Sequence, residues 1–137
     1  HPGGTLGRRL LIYVRDVMHT GRDMPLVASG SQLTTALEEM SAKGLGMTGI
    51  VNPEGHLIGI YTDGDVRRSI NQSIDVKTAV IDQVMVSDPR STTADALAAE
   101  VVQLMRQHSI NGLFAVDPEQ RPIGALNALD LMRAGIF

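Results

Sequence analysis

The sequence predicts an α+β fold made of two pseudo-symmetric β-α-β-β-α units packed as one pair, and three observations carry that reading. The stretch VNPEGHLIG (residues 51–59) returns as VDPEQRPIG (residues 116–124), a shift of 65 positions. The same shift pairs Met40 with Met105, Asp65 with Asp130 and Arg68 with Arg133, while RDVM (15–18) pairs with DQVM (82–85) at a shift of 67. In each copy an apolar stripe of helical period precedes two short apolar runs joined by turn residues.

The elements follow in order. Residues 1–14, opening HPGGTLGRRLL without an initiator methionine, read as a linker and the end of a preceding domain. The first repeat is assigned to 15–75 and the second to 76–137. After the Val-Met segment comes a short extended stretch, PLVAS or PRSTT. An amphipathic helix follows, with Leu33, Leu37 and Met40 on one face in the first copy and Leu97, Val101, Leu104 and Met105 in the second. Ser31 and Thr92 or Thr93 are the expected N-caps. MTGIV and LIGIYT then form two strands, matched by GLFAV and PIGAL. Asn52-Pro53-Glu54-Gly55 and Asp117-Pro118-Glu119-Gln120 supply tight turns between them. A last helix starts near Asp65 and near Asp130. A unit of about sixty residues buries too little surface to stand alone, so the two copies are expected to pack sheet against sheet and leave a cleft on the pseudo-two-fold axis.

Composition narrows the function. Hydrophobic residues make up 43% of the 137, enough for a core, while aromatics are 3%, so the core is aliphatic and uses the seven methionines. A net charge of −3 argues against a nucleic-acid or anionic-membrane partner. With no cysteine, disulfide and thiolate chemistry are excluded, which suits a cytoplasmic location. No apolar run reaches the roughly 18 residues of a membrane span.

The chemistry concentrates in GIYTDGDVRR (59–68), where a strand gives way to a helix. Asp65 is expected at the helix N-cap, with Arg67 and Arg68 in the first turn. A helix N-terminus presents unpaired N–H groups that attract phosphate. The Thr62 hydroxyl can meet a phosphate or sugar oxygen, and a carboxylate such as Asp65 accepts hydrogen bonds from ribose hydroxyls. The second copy reads GALNALD, with Asn127 for Thr62 and Asp130 for Asp65. For one copy alone, a plain helix cap is the simpler account; recurrence of the polar pair in the same context favours a binding role. A metal or acid–base reading of Asp-Gly-Asp is weaker, because Ala128 stands in the second copy where Asp63 stands in the first. The histidines at 1, 19, 56 and 108 show no ligand spacing, and no Ser/His/Asp array is present. Met40 and Met105 read as core; Met18 and Met85 read as packing with some reach toward the cleft.

The duplicated unit, with Gly-h-h-Thr/Asn-x-x-Asp at the strand-to-helix junction, resembles a tandem pair of CBS domains over roughly residues 15–137. The resemblance implies a nucleotide in the cleft between the copies, AMP or ATP in the generic case, regulation of an attached enzyme or transporter, and flat dimers. It further implies that Thr62, Asp65, Asn127 and Asp130 meet sugar and phosphate. Gly46, Met47 and Thr48, with Asn111 and Gly112, would lie along the base. Asn127 departs from the Ser or Thr usual there.

HPGG-LGR, LGMTGIV, TDGDVRR and the closing DLMRAGIF are similar to D-arabinose 5-phosphate isomerases, enzymes with a sugar isomerase domain followed by a CBS pair. That likeness implies a parent enzyme interconverting D-ribulose 5-phosphate and D-arabinose 5-phosphate for Kdo and lipopolysaccharide synthesis. It matches His1 to a catalytic-site histidine, and implies a homodimer of CBS pairs within a homotetrameric parent. The isomerase site itself has no counterpart here, so the fragment is expected to be inactive. CMP-Kdo is the pathway ligand suggested, with Arg67, Arg68 or Arg133 neutralising its anionic groups. The rival expectation is a structural module that holds subunits together and binds nothing.

Overall fold

A computed structural model describes residue 7 and residues 11–137. His1, Arg8 and Arg9 lie outside the described residues. The first half runs through helix α1 (Val14–Val17), a 3₁₀ turn (Gly21–Asp23), β1 (Leu26–Ala28), α2 (Leu33–Lys43), β2 (Met47–Val51), β3 (Leu57–Thr62) and α3 (Asp63–Asn71). The second half repeats it with α4 (Ile81–Val84), β4 (Val86–Ser87), β5 (Ser91–Thr92), α5 (Ala98–His108), β6 (Gly112–Val116), β7 (Pro122–Asn127) and α6 (Ala128–Arg133). Among the described residues, no helix is long and apolar enough to cross a membrane.

One sheet has the order β1-β2-β3-β4, with β1 parallel to β2 and the other pairs antiparallel. The other has the order β5-β6-β7, again with a parallel first pair. The hairpin registers agree between copies: Met47 faces Thr62 as Gly112 faces Asn127, and both hairpins shift register near the turn. The hairpin strands are buried at most positions, as short continuous apolar runs bounded by turn residues lead one to expect.

The lead-in segment of each repeat is exchanged. α1 packs with the second repeat: Val14, fully buried, joins Ala98, Val101, Leu113 and Leu126. α4 packs with the first: Ile81, also fully buried, joins Leu33, Ile50 and Tyr61. β4 extends the first sheet beside β3, and His19 makes the equivalent bridge to Ala125 in the second. Each exchanged segment places a methionine, Met85 or Met18, over a strand glycine, Gly59 or Gly124, where a Cβ would collide with it. Packing is thus the role the structure gives these two methionines.

Exchange also explains where the helix caps differ from expectation. The N-caps of α2 and α5 are Gln32 and Leu97, and neither uses its side chain. Instead the first N–H of α2 is taken by the Ala79 carbonyl at 2.9 Å, and that of α5 by the Ile12 carbonyl at 2.9 Å. Backbone from the lead-in segments does the capping that Ser31, Thr92 or Thr93 was expected to do. Thr92 ends β5, and the Thr93 hydroxyl turns to Asp95.

A third apolar cluster joins the repeats. Met47, Leu57 and Ile60 of the first sheet meet Phe114, Val116 and Ala125 of the second. The Leu57 N–H also donates to the Gln120 carbonyl at 2.9 Å, crossing between the hairpins.

Candidate ligand-binding site

Both strand-to-helix junctions carry a reciprocal capping box, and this corrects the expected position of the aspartates. Thr62, not Asp65, is the N-cap of α3; Asp65 is its third helical residue. The Thr62 hydroxyl oxygen accepts from the Asp65 N–H at 3.4 Å, and Asp65 Oδ2 accepts from the Thr62 N–H and hydroxyl, both at 3.0 Å. In the second repeat Asn127 Oδ1 accepts from the Asp130 N–H and Asp130 Oδ2 accepts from the Asn127 N–H, each at 2.9 Å. Short polar side chains three residues apart satisfy two otherwise unpaired N–H groups at each helix start.

The remaining oxygen of each carboxylate has a cationic or imidazole partner. Arg68 Nη2 donates to Asp65 Oδ1 at 2.6 Å; the Asp65 side chain is 6% exposed and that of Arg68 61%. His19 Nε2 lies 2.9 Å from Asp130 Oδ1. A carboxylate is the acceptor here, so His19 carries its proton on Nε2. Below Asp65, the buried Tyr61 hydroxyl pairs with Ser69 Oγ at 2.8 Å. Burial raises the Tyr61 phenol above its ordinary pKa; the Ser69 bond opposes this and the Asp65 charge adds to it, so Tyr61 stays neutral.

The other predicted positions divide by exposure. Met47 and Thr48 are fully buried: Met47 packs over Gly112, and the Thr48 hydroxyl donates to the Gly49 carbonyl at 3.2 Å. Gly46 is half-buried with φ +74°, a conformation suited to glycine. Its carbonyl accepts from the Asp63 N–H at 3.0 Å, and the Asp63 carboxylate stands where a Gly46 side chain would go. Gly112 is half-buried and Asn111 exposed, its carbonyl accepting from the Ala128 N–H at 2.9 Å. Arg67 and Arg133 are exposed and, among the described residues, form no ion pair. Asn127 Nδ2 donates to the Leu45 carbonyl at 3.2 Å, tying the second junction to the first repeat.

A cavity of about 230 Å³ opens beside Asp65, walled by Arg68, Ser69, Gln72, Gln83 and Val86 among others. Its walls come from α3, the chain after it, α4 and β4, and do not include Asp130. A larger hollow of about 450 Å³ lies between β1 and α2, beside Glu38 and Glu39, and contains none of the predicted site residues. The smaller one holds the recessed carboxylate and its guanidinium.

The repeat pattern does not single out His19, which meets Asp130, or Ser69, Gln72 and Gln83, which line the smaller cavity. A usable sign existed for His19: it follows RDVM as Val86 follows DQVM, so the shift of 67 makes His19 and Val86 equivalents beside equivalent aspartates. Metal-ligand spacing among the histidines does not show this equivalence.

The CBS domain sequence model matches residues 14–72 and 81–136. The chain is 52% identical over 137 residues to the arabinose 5-phosphate isomerase KdsD of Pseudomonas aeruginosa, covering 100% of this chain and 42% of that protein. It is 40% identical over 136 residues to KdsD of Escherichia coli K12, covering 99% and 41%. The chain thus spans well under half the length of these relatives. Among solved structures, the CBS domain pair of protein MJ0100, in complex with 5′-methylthioadenosine and S-adenosyl-L-methionine, superposes with a TM-score of 0.80 at 21% identity, over 90% of this chain and 94% of that one. CBSX2 in complex with AMP gives a TM-score of 0.78 at 22% identity, over 91% and 96%. Two repeats of one α+β unit, paired through their sheets and matched by sequence along both, make this chain a member of the CBS domain family, in the form of a tandem pair like the CBS region of the arabinose 5-phosphate isomerases.

Proposed function

We propose that the chain is the regulatory, nucleotide-sensing CBS pair of a cytoplasmic D-arabinose 5-phosphate isomerase serving Kdo and lipopolysaccharide synthesis. The observation that carries this reading is the recurrence of a recessed carboxylate, Asp65 and Asp130, in the same capping box of both repeats. Each has an oxygen turned to a partner that a ligand hydroxyl can replace, Arg68 or His19. Likeness to CBS pairs that hold adenosine compounds and AMP supports a nucleotide as the ligand class. The identity to KdsD supports CMP-Kdo as the specific ligand, with exposed Arg67, Arg68 and Arg133 near its anionic groups. In this proposal the pair forms a homodimer inside a homotetrameric parent whose sugar isomerase domain does the chemistry. Calorimetric titration with CMP-Kdo, CMP and AMP tests it: CMP-Kdo should bind most tightly, and equal weak binding of all three removes the pathway-specific ligand.

Two observations favour the scaffold reading instead. Both aspartates already have internal partners, and Met47 and Thr48 are sealed in the core. Alanine at Asp65 and Asp130 does not separate the readings by stability, since either change breaks a capping box. The discriminating measurement is the melting temperature of the wild type with each nucleotide; no rise with any of them leaves an assembly module.

A further inference from the structure

Asp65 and Asp130 are equivalent in the duplicated sequence yet are held by partners of different origin. Arg68 belongs to the same helix as Asp65, one turn on. His19 belongs to the exchanged lead-in segment and reaches Asp130 from the opposite end of the chain. The His19 backbone is fixed on the sheet, its N–H donating to the Ala125 carbonyl at 2.7 Å and its carbonyl accepting from the Ala125 N–H at 2.9 Å. The imidazole is therefore delivered to Asp130 by β-pairing rather than by a free surface side chain. Side-chain exposures of 35% for His19 and 12% for Asp130 put the contact in a partly dry place.

We infer that His19 is a proton-sensitive latch, tying the Asp130 half of the proposed nucleotide site to the segment that joins the pair to residues 1–10. The ligand part of the inference rests on the nucleotide reading above; the latch itself does not. Asp130 Oδ2 is engaged by the Asn127 N–H, so a ribose hydroxyl seeking this carboxylate competes for Oδ1 with His19. Neutral imidazole holds Oδ1 by an ordinary hydrogen bond, whereas imidazolium holds it by a charge-assisted one of roughly twice the strength. Imidazole is the side chain whose charge changes between about pH 5 and 8. Lower pH therefore closes the Asp130 half, and ligand entry there frees the lead-in segment. The Asp65 half has no such response, because a guanidinium keeps its charge throughout.

The charged groups on the surrounding elements are few. α6 carries Asp130 and, one turn on, Arg133; β7 carries none. α1 carries Arg15, stacked over the Tyr13 ring, and Asp16, whose carboxylate accepts from the Tyr13 N–H. The 3₁₀ turn carries Arg22 and Asp23, both exposed. Among these, only Asp130 is paired with the imidazole.

The test is calorimetric titration of the chain with AMP at about pH 8 and about pH 5.5, on the wild type and His19→Gln, where glutamine keeps a donor without the charge. The wild type should bind about tenfold more weakly at the lower pH, and His19→Gln should lose most of that difference. Protonation of the AMP phosphate affects both proteins alike and cancels in the comparison. Equal pH dependence in the two proteins overturns the latch. Should AMP bind neither protein, AMP is not the ligand, and melting temperatures decide the latch: His19→Gln should cost more at the lower pH, and an equal loss at both pH values overturns it.

Discussion

The Phe114 ring fills the space that a side chain at Gly49 would need, its Cζ lying 2.9 Å from the place of a Gly49 Cβ, and the two positions are equivalents in the duplicated sequence. Met47 and Gly112 repeat the relationship: the Met47 sulfur lies 2.6 Å from where a Gly112 Cβ would be, and these positions are also 65 apart. Near a pseudo-two-fold axis each position faces its own copy. Two large side chains there would collide and two small ones would leave a void, so a large residue in one copy meets glycine in the other. Phe114→Ala should cost about 3–5 kcal/mol, the range for emptying a buried aromatic site. Gly49→Ala should cost about 1–3 kcal/mol by overpacking against Leu26, Leu57 and Phe114. Gly49→Ala should cost less in a Phe114→Leu background than in the wild type, a coupling measurable by urea denaturation of the four proteins.

Much of this was legible in the chain. The strands MTGIV, LIGIYT and GLFAV occupy the predicted residues, because apolar runs bounded by turn chemistry leave a hairpin few registers. The exchange of lead-in segments was not legible. RDVM and DQVM show the repeat but not which sheet each joins, since Val14 and Ile81 are apolar enough for either core. The capping boxes are half legible: the Thr62 and Asp65 pair stands out in the sequence, but the helix expected to start near Asp65 begins two residues earlier, at Asp63.

Exchange makes a directional prediction. Val14 precedes β1 in sequence but is buried against α5 and β6, so Val14→Ala should loosen the second repeat. Ile81→Ala should loosen the first. Each should cost about 1.5–4 kcal/mol. Amide hydrogen exchange should show lost protection mainly in α5–α6 for the first variant and in α2–α3 for the second. The reverse pattern refutes the exchange.

Asn127 in place of the threonine found at Thr62 has a structural reason. Its Oδ1 caps α6 while its Nδ2 donates to Leu45 of the other repeat, a reach that threonine lacks. Asn127→Thr keeps a capping oxygen and loses one cross-repeat hydrogen bond, so it should cost about 0.5–1.5 kcal/mol. Asn127→Ala loses both and should cost about 1–1.5 kcal/mol more than the threonine variant. Equal midpoints for asparagine and threonine in urea denaturation would mean the Leu45 bond contributes nothing.

The acid side of the stability profile should run through Asp82. Its carboxylate, at the start of α4, accepts from the Ser29 hydroxyl at 2.5 Å and the Gly30 N–H at 2.7 Å, clamping the exchanged helix to the β1–α2 loop. The Ser29 bond first, and the Gly30 N–H second, hold Asp82 below its ordinary pKa. A carboxyl whose folded-state pKa is depressed stabilises the fold fully above its unfolded pKa, about 3.9. That contribution fades as pH falls through the interval down to the folded value, and is gone below both. Asp82→Asn, which keeps an acceptor but no charge, should therefore melt lower than the wild type at about pH 7. The gap between the two proteins should narrow as pH falls below the unfolded-state pKa of about 3.9 and close once Asp82 is protonated in the fold as well. A gap that stays constant across that range would show that the clamp draws nothing from the ionised carboxylate.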